Sequence, residues 1–365
     1  MFILGWNLIY LYIFLFSTVL SLILTPLAGR IAVQLNIVDH PGERKIHSQP
    51  KPYLGGTAIF LSFFITIIGH LVALKFISLF PFYIPKDIVI YLKNVSYTHS
   101  KLLFLFIGAI LIYVVGTYDD IRGMRPSVKL IFQILAGLIL FWGGIRIVAF
   151  IHNIYLTAIL SIFWVVLLIN SFNFLDNMDG LSAGVAVIIS LIFAYLSFMD
   201  NQFFMTVILL AFSGSILGFL RHNLNPSKIF MGDGGSMFIG YMIAGLTMLA
   251  TYYKTGAPTQ LPILMPLIIL GVPLFDTITV LWIRFKNKKP LTQGDTNHFS
   301  HRLVALGMSE KDAVYFIYFI TLSMSLGALL LKHLKLVQCI IVLVQTVTIF
   351  IVIFLLENVK KNSNR

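Results

Sequence analysis

Apolar runs close to twenty residues long recur along nearly the whole chain, separated by short polar stretches, and none alternates with the period of two that a barrel strand needs. A run of that length crosses the hydrocarbon core of a bilayer as a helix, because backbone groups in lipid must find their hydrogen bonds within their own segment. With 58% hydrophobic residues, 11% charged and a mean hydropathy of +0.93, no polar face remains on each helix to meet water, which excludes a soluble globular domain. The fold class is therefore all-α, a polytopic integral membrane protein. No repeat, low-complexity segment or soluble domain interrupts it, so residues 1–365 read as a single transmembrane domain.

Spans are expected near 6–28, 53–79, 102–117, 129–144, 155–173, 181–199, 203–220, 235–252, 261–283, 312–332 and 337–357, about eleven transmembrane helices. The first run lacks a basic leader and a small-residue cleavage site, so it reads as a retained span and not a signal peptide. The single cysteine, Cys339, lies in an apolar run and excludes a disulfide framework or a cysteine metal site.

A formal charge of +12 raises the question of nucleic acid, but the basic residues flank spans and form no groove-sized patch, so no nucleic-acid partner is expected. Topology explains the charge better. Of the 26 Lys and Arg, alternate loops on one side hold only Lys75, Lys86, Lys93, Lys101, Arg146, Lys254, Lys332 and Lys335, and the other side holds the rest. The positive-inside rule puts the richer side in the cytoplasm, with the N-terminus outside and the C-terminus cytoplasmic.

Acid is scarce, with 14 Asp and Glu in all, yet Asp119, Asp120, Asp176, Asp179 and Asp233 fall in three short segments at span ends. In TYDDIRGMRPSVKL, adjacent carboxylates repel unless a cation or water offsets them, and Lys129 follows. In NSFNFLDNMDG, Asn170, Asn173, Asp176 and Asp179 recur every three residues, one face of a helix end that offers oxygens to a hard cation; Asp179 is also placed to cap the next helix before Gly180. NPSKIFMGDGGS opens an apolar helix whose N-terminus and glycines could cradle a diphosphate, with Asp233 to bring a cation. The fourth motif, GDTNHFSHRL, holds His298, His301 and Arg302; a zinc site there lacks further ligands, and contacts to phosphate or sugar hydroxyls fit better. Asp276 lies about two turns inside the membrane before Arg284, either functional or structurally paired. Two spans separate each motif from the next, so all four are expected on the cytoplasmic side.

In this order these motifs resemble the polyprenyl-phosphate N-acetylhexosamine-1-phosphate transferase family, from HSQPKPYLGG through HFSHRL. The resemblance implies that a UDP-N-acetylhexosamine and a polyprenyl (undecaprenyl) phosphate are converted to polyprenyl-diphospho-sugar and UMP, with magnesium or alternatively manganese. By that resemblance Asp233 is a magnesium ligand with Asn173 as a second, Asp119 the base on the lipid phosphate, and Asp120 and Lys129 border the phosphates. Asp176 and Asp179 match the acidic pair, the second the better candidate for a nucleotide contact, with Asn170 beside them; a double displacement with a carboxylate nucleophile is the competing mechanism. Lys45, His47 and Lys51 match a segment near the uridine, and His298, His301 and Arg302 a donor-recognition loop. Asn177 replaces a common glycine, Thr296 and Ser300 a common arginine and histidine, and the triple-histidine loop of the phospho-N-acetylmuramoyl-pentapeptide branch is missing. The expected donor is therefore UDP-N-acetylglucosamine, the expected location the cytoplasmic (inner) membrane, and a homodimer is compatible with the family. The alternatives are that muramoyl-pentapeptide branch and, from a different class, an ion-coupled secondary transporter.

Overall fold

The computed structural model describes residues 2–39, 50–75, 99–147, 153–250, 252, 259–288, 297–332 and 334–363. The helices, in chain order, are α1 (Phe2–Gln34), α2 (Gly55–Lys75), α3 (His99–Arg122), α4 (Pro126–Trp142), α5 (Ile154–Leu175), α6 (Leu181–Met199), α7 (Phe203–Asn223), α8 (Gly232–Leu249), α9 (Met265–Ile269), α10 (Gly271–Lys286), α11 (Phe299–Ala305), α12 (Glu310–Leu330) and α13 (Leu336–Ser363). Among the described residues the one strand pairing is a two-residue antiparallel pair, β1 (Val38–Asp39) with β2 (Lys51–Pro52), in which Asp39 lies opposite Lys51. Among the described residues, eight helices are long and apolar enough to cross a membrane.

The expected span 261–283 is not one rod. It is a short 3₁₀ turn, Leu261–Leu264, running into α9, and then α10 after a 68° bend. Counted as one broken span it brings the total to nine. The remaining two expected spans correspond to α4, at 17 residues, and α8, at 18 residues with a polar first turn. Several spans also run past their expected ends. α3 continues through Arg122, so Asp119 and Asp120 ride its last turn and not a loop, and α8 starts at Gly232, which puts Asp233 in its first turn.

Local chemistry accounts for the ends. Asn153 caps α5 by accepting from Tyr155 N and Leu156 N, Ser309 caps α12 through Asp312 N, and Pro126 starts α4 where its missing N–H costs nothing. Several hydroxyls inside the bundle are satisfied by carbonyls. Ser17 and Ser21 of α1 donate to Ala211 O and Ser215 O of α7, while Ser62 and Thr66 bond back within α2. Gly214 and Gly218, four apart on α7, allow α1 to approach so closely that a Cβ at Gly218 would lie 2.4 Å from Thr18 O.

The middle of the bundle is aromatic, with Phe63, Phe212 and Phe238 fully buried where α2, α7 and α8 meet. α1 and α13 turn long apolar stripes outward, as lipid-facing helices do. α8, by contrast, is buried nearly throughout and is the axis on which α2, α3 and α5 pack.

Candidate active site

The polar ends of α3, α4, α5 and α8 converge at one end of the bundle. Lys129, in the first turn of α4, donates to Asp119 Oδ2 at 2.5 Å and to Asp233 Oδ2 at 2.7 Å. One ammonium thus joins the last turn of α3 to the first of α8 and offsets the repulsion between two carboxylates. The side chains are 21%, 13% and 27% exposed for Lys129, Asp119 and Asp233, enclosed enough to be fixed and open enough for a ligand to reach.

Asp120, adjacent to Asp119, faces elsewhere. Its Oδ1 accepts from Asp233 N at 2.8 Å and its Oδ2 from Gly234 N at 3.0 Å, so it caps α8. This corrects the expectation of a diphosphate cradled on that N-terminus, because the leading N–H groups are already taken by a carboxylate of the protein. The glycines around it serve packing. A Cβ at Gly56 would stand 2.3 Å from Gly235 N, and one at Gly116 would stand 2.6 Å from Asp233 O. Gly55 N and Gly56 N also donate to Phe230 O and Met231 O, joining the start of α2 to the turn before α8.

The three-residue spacing of Asn170, Asn173, Asp176 and Asp179 does not hold them on one face, because α5 ends at Leu175. Asn173 Nδ2 donates to Asp233 Oδ1 at 2.9 Å and to Ser236 Oγ at 3.0 Å. In that orientation it gives Asp233 a donor; its amide oxygen would have to exchange places with the nitrogen to act as a ligand. Asn170 pairs one turn deeper with Gln133, whose Oε1 accepts from Asn170 Nδ2 at 2.7 Å. Gln133 is absent from the sequence-based candidates, although it is a buried amide in an apolar run, one turn past Lys129.

Asp176 closes α5, and no hydrogen bond or ion pair from the described residues reaches its carboxylate. Burial first, and then the negative charges of Asp233, Asp120 and Asp179, hold its carboxyl well above the usual range. Asp179 has turned away. It accepts from Ser227 N at 2.9 Å and Ser227 Oγ at 2.7 Å, while Lys51 Nζ donates to the same hydroxyl at 2.9 Å and lies 3.5 Å from Asp179. The expected cap on α6 is not made by Asp179 either; Gly180 takes that position at φ +79°.

The fourth motif joins the same end through two contacts. Ser300 Oγ donates to Asn177 Oδ1 at 2.6 Å, and the Phe174 ring lies 5.8 Å from that of His298. Asp276, buried on α10, bonds His298 Nδ1 at 2.9 Å and accepts from Phe299 N at 2.6 Å, which fixes the start of α11. Its carboxylate is therefore taken up by the histidine motif, whereas Arg284 lies over the Phe174 ring. Arg302 is occupied by the protein itself, donating to Glu357, Asn297 O and Thr279. His301 is half-buried, and burial followed by His298 lowers its pKa. Lys45 and His47 lie outside the described residues, as does Thr296.

Among the described residues, no three His, Cys, Asp or Glu side chains cluster as a ready-made cation cage. Magnesium does not need one, since it takes one or two carboxylates and completes its shell with phosphate oxygens and water. Asp233, with both oxygens turned into the cluster and a quarter of its side chain open, fits that mode.

Paired ionised groups, partly open at the end of a bundle of membrane-length helices, form a polar site suited to a charged ligand. Residues 102–251 match the family model described as Glycosyl transferase family 4. The chain is 32% identical over 327 residues, 87% of its length and 84% of the relative's, to a probable undecaprenyl-phosphate N-acetylglucosaminyl 1-phosphate transferase of Bacillus subtilis (strain 168). It is 29% identical to a decaprenyl-phosphate N-acetylglucosaminephosphotransferase of Mycobacterium leprae, covering 83% of this chain and 78% of that one. A phospho-N-acetylmuramoyl-pentapeptide-transferase of Caldanaerobacter subterraneus is 30% identical, over 61% of this chain and 74% of its own. The protein belongs to the polyprenyl-phosphate sugar-1-phosphate transferase family, and with that membership the transporter reading falls away.

Proposed function

We propose that the protein transfers N-acetylglucosamine-1-phosphate from UDP-N-acetylglucosamine to a polyprenyl phosphate, the first membrane step of a cell-envelope polysaccharide. An oxygen of the lipid phosphate attacks the sugar-bearing phosphorus of the donor, the bond from that phosphorus to the UMP oxygen breaks, and UMP leaves. Both reactants are polyanions, so the chemistry rests on bringing negative groups together. The observation that carries the reading is the Lys129 ammonium held between Asp119 and Asp233.

In this reading Asp119 takes the proton of the lipid phosphate, and Lys129 exchanges one carboxylate for a phosphate oxygen. Asp120 positions Asp233 by capping its helix. Asp233, with Asn173 beside it, would hold magnesium, which supplies neutralising charge to the donor diphosphate when bound. His298, set by Asp276, and His301 face the sugar; Lys51 and Asp179 border the nucleotide side. The eleven-span arrangement, with the N-terminus outside, the C-terminus inside and the catalytic end at the cytoplasmic face of the inner membrane, accords with the distribution of Lys and Arg.

The test is UMP release by purified protein supplied with undecaprenyl phosphate, magnesium and a panel of UDP-sugars, with and without chelator. Release with UDP-N-acetylglucosamine alone, stopped by chelator, is expected. Consumption of the muramoyl-pentapeptide donor would move the protein to that branch, and no release from folded protein with any donor would overturn the assignment.

A further inference from the structure

A groove of about 560 Å³ opens beside α1 and takes no part in the chemistry above. Its floor is apolar, lined by Gly29, Pro52 and Ile229; a Cβ at Gly29 would stand 3.5 Å from Ile229 and 3.8 Å from Pro52. Its rim is basic. Arg30 from α1, Lys228 from the turn before α8 and His222 from the last turn of α7 line it, and among the described residues no acidic side chain does. His222 Nε2 lies 3.2 Å from Leu22 O, whereas Arg30 and Lys228 are exposed and make no side-chain hydrogen bond or ion pair among the described residues.

The surface leading to this rim matches an acyl chain. Val19, Ile23 and Leu27 of α1, spaced one helical turn apart, are 52%, 55% and 43% exposed and form a track that runs from mid-helix up to Arg30. Two cations over an apolar floor, at the head of an exposed apolar track on a membrane helix, are complementary to a phosphate that carries hydrocarbon tails. The groove is also distinct from the carboxylate cluster. α1 packs on α7, α2 and β2, whereas Asp119, Asn173 and Asp233 are carried by α3, α5 and α8.

We propose that this groove is a binding site for a resident anionic phospholipid, with the headgroup phosphate between Arg30 and Lys228 and one acyl chain along Val19, Ile23 and Leu27. The lipid is a lasting companion of the fold and not the acceptor of the reaction.

The test is native mass spectrometry and titration of the delipidated full-length protein with phosphatidylglycerol. The wild type should retain one phosphatidylglycerol that phosphatidylcholine does not replace. Each cation near a membrane surface contributes about fivefold to anionic-lipid affinity, so R30Q/K228Q should bind that lipid about thirtyfold more weakly. R30K/K228R should bind it like the wild type, and so should R146Q, a control whose guanidinium lies over Phe141, away from the groove. Unchanged retention by R30Q/K228Q would overturn the proposal. Displacement of the lipid one for one by undecaprenyl phosphate would also overturn it and make the groove an acceptor site. Displacement by glycerol phosphate at equal concentration would overturn it too, as it would reduce the groove to a phosphate contact without a lipid track.

Discussion

Two acid-bearing clusters lie side by side at one end of the bundle, and they treat charge in opposite ways. Around Asp276 the charged groups are paired within the protein: His298 Nδ1 and Phe299 N take the carboxylate, and Arg302 spends its guanidinium on Glu357, Asn297 and Thr279. Around Asp233 one lysine serves two carboxylates and Asp176 has no bonded partner among the described residues. A saturated cluster resists change, because removing one partner strands a buried charge or dipole. The under-satisfied cluster leaves interactions to be completed by something that arrives. The difference separates the scaffold of the site from the part that reacts.

The sharpest way to break that contrast is at the reactive cluster. Asp119→Asn and Asp233→Asn should each lower kcat by about 10³-fold, with thermal unfolding little changed. UMP release together with a melting curve checks both, and near-normal turnover in either variant would remove that residue from the mechanism. Asp276→Ala should act mainly on stability, destabilising the protein by about 3 kcal/mol, read as a lower Tm, by leaving His298 and Phe299 N unpartnered in a buried place, with donor KM raised through the released His298 and kcat changed least. Equal loss of Tm in all three variants would erase the contrast.

The adjacent aspartates sharpen it. Asp120→Ala should cost about 1 kcal/mol of stability through the lost cap; Asp120→Asn, which keeps an acceptor for one of the two N–H groups and turns its own NH2 toward the other, should recover only part of that Tm while keeping most of the turnover that Asp119→Asn loses. The smallest effect is expected at Asp176. Its raised carboxyl binds a proton more tightly in the folded chain than in the unfolded one, so its contribution to stability is fully present in acid and is lost as pH rises through the raised value. Asp176→Asn should therefore raise Tm slightly at about pH 8 and leave it unchanged below about pH 4, the ordinary aspartate range. A Tm gain of equal size at both pH values would show that the carboxyl carries no excess proton.

Much of this was legible in the chain itself because lipid imposes a simple rule: length and hydropathy are enough to place α6 at 181–199, where the structure also has it. The convergence of the four motifs at one end follows from counting two spans between each pair. Geometry that depends on where a helix stops was not legible. The regular spacing of Asn170, Asn173, Asp176 and Asp179 suggested a shared face, but the chain leaves α5 at Leu175 and sends Asp179 to Ser227. GDGGS reads as a phosphate loop in one dimension; in three, its first N–H groups belong to Asp120 and its glycines to Gly56 and Thr117. The break at Leu270 is passed over by a hydropathy count, although Gly271 stands at the bend and Pro273, which has no N–H, cannot bond back to the Ile269 carbonyl.

The backbone contacts among α2, α3 and α8 bear on how the enzyme meets membranes of different thickness. Where Gly56 meets Gly235 and Gly116 meets Asp233, the helices touch through peptide groups, with no flexible side chain between them. A bilayer that thins or thickens changes helix tilt at a modest cost per ångström. Here such strain would turn the three helices as one stiff body, and the mismatch would be absorbed by peripheral helices such as α13, so the gap between Asp119 and Asp233 is insulated from the membrane's mechanical state.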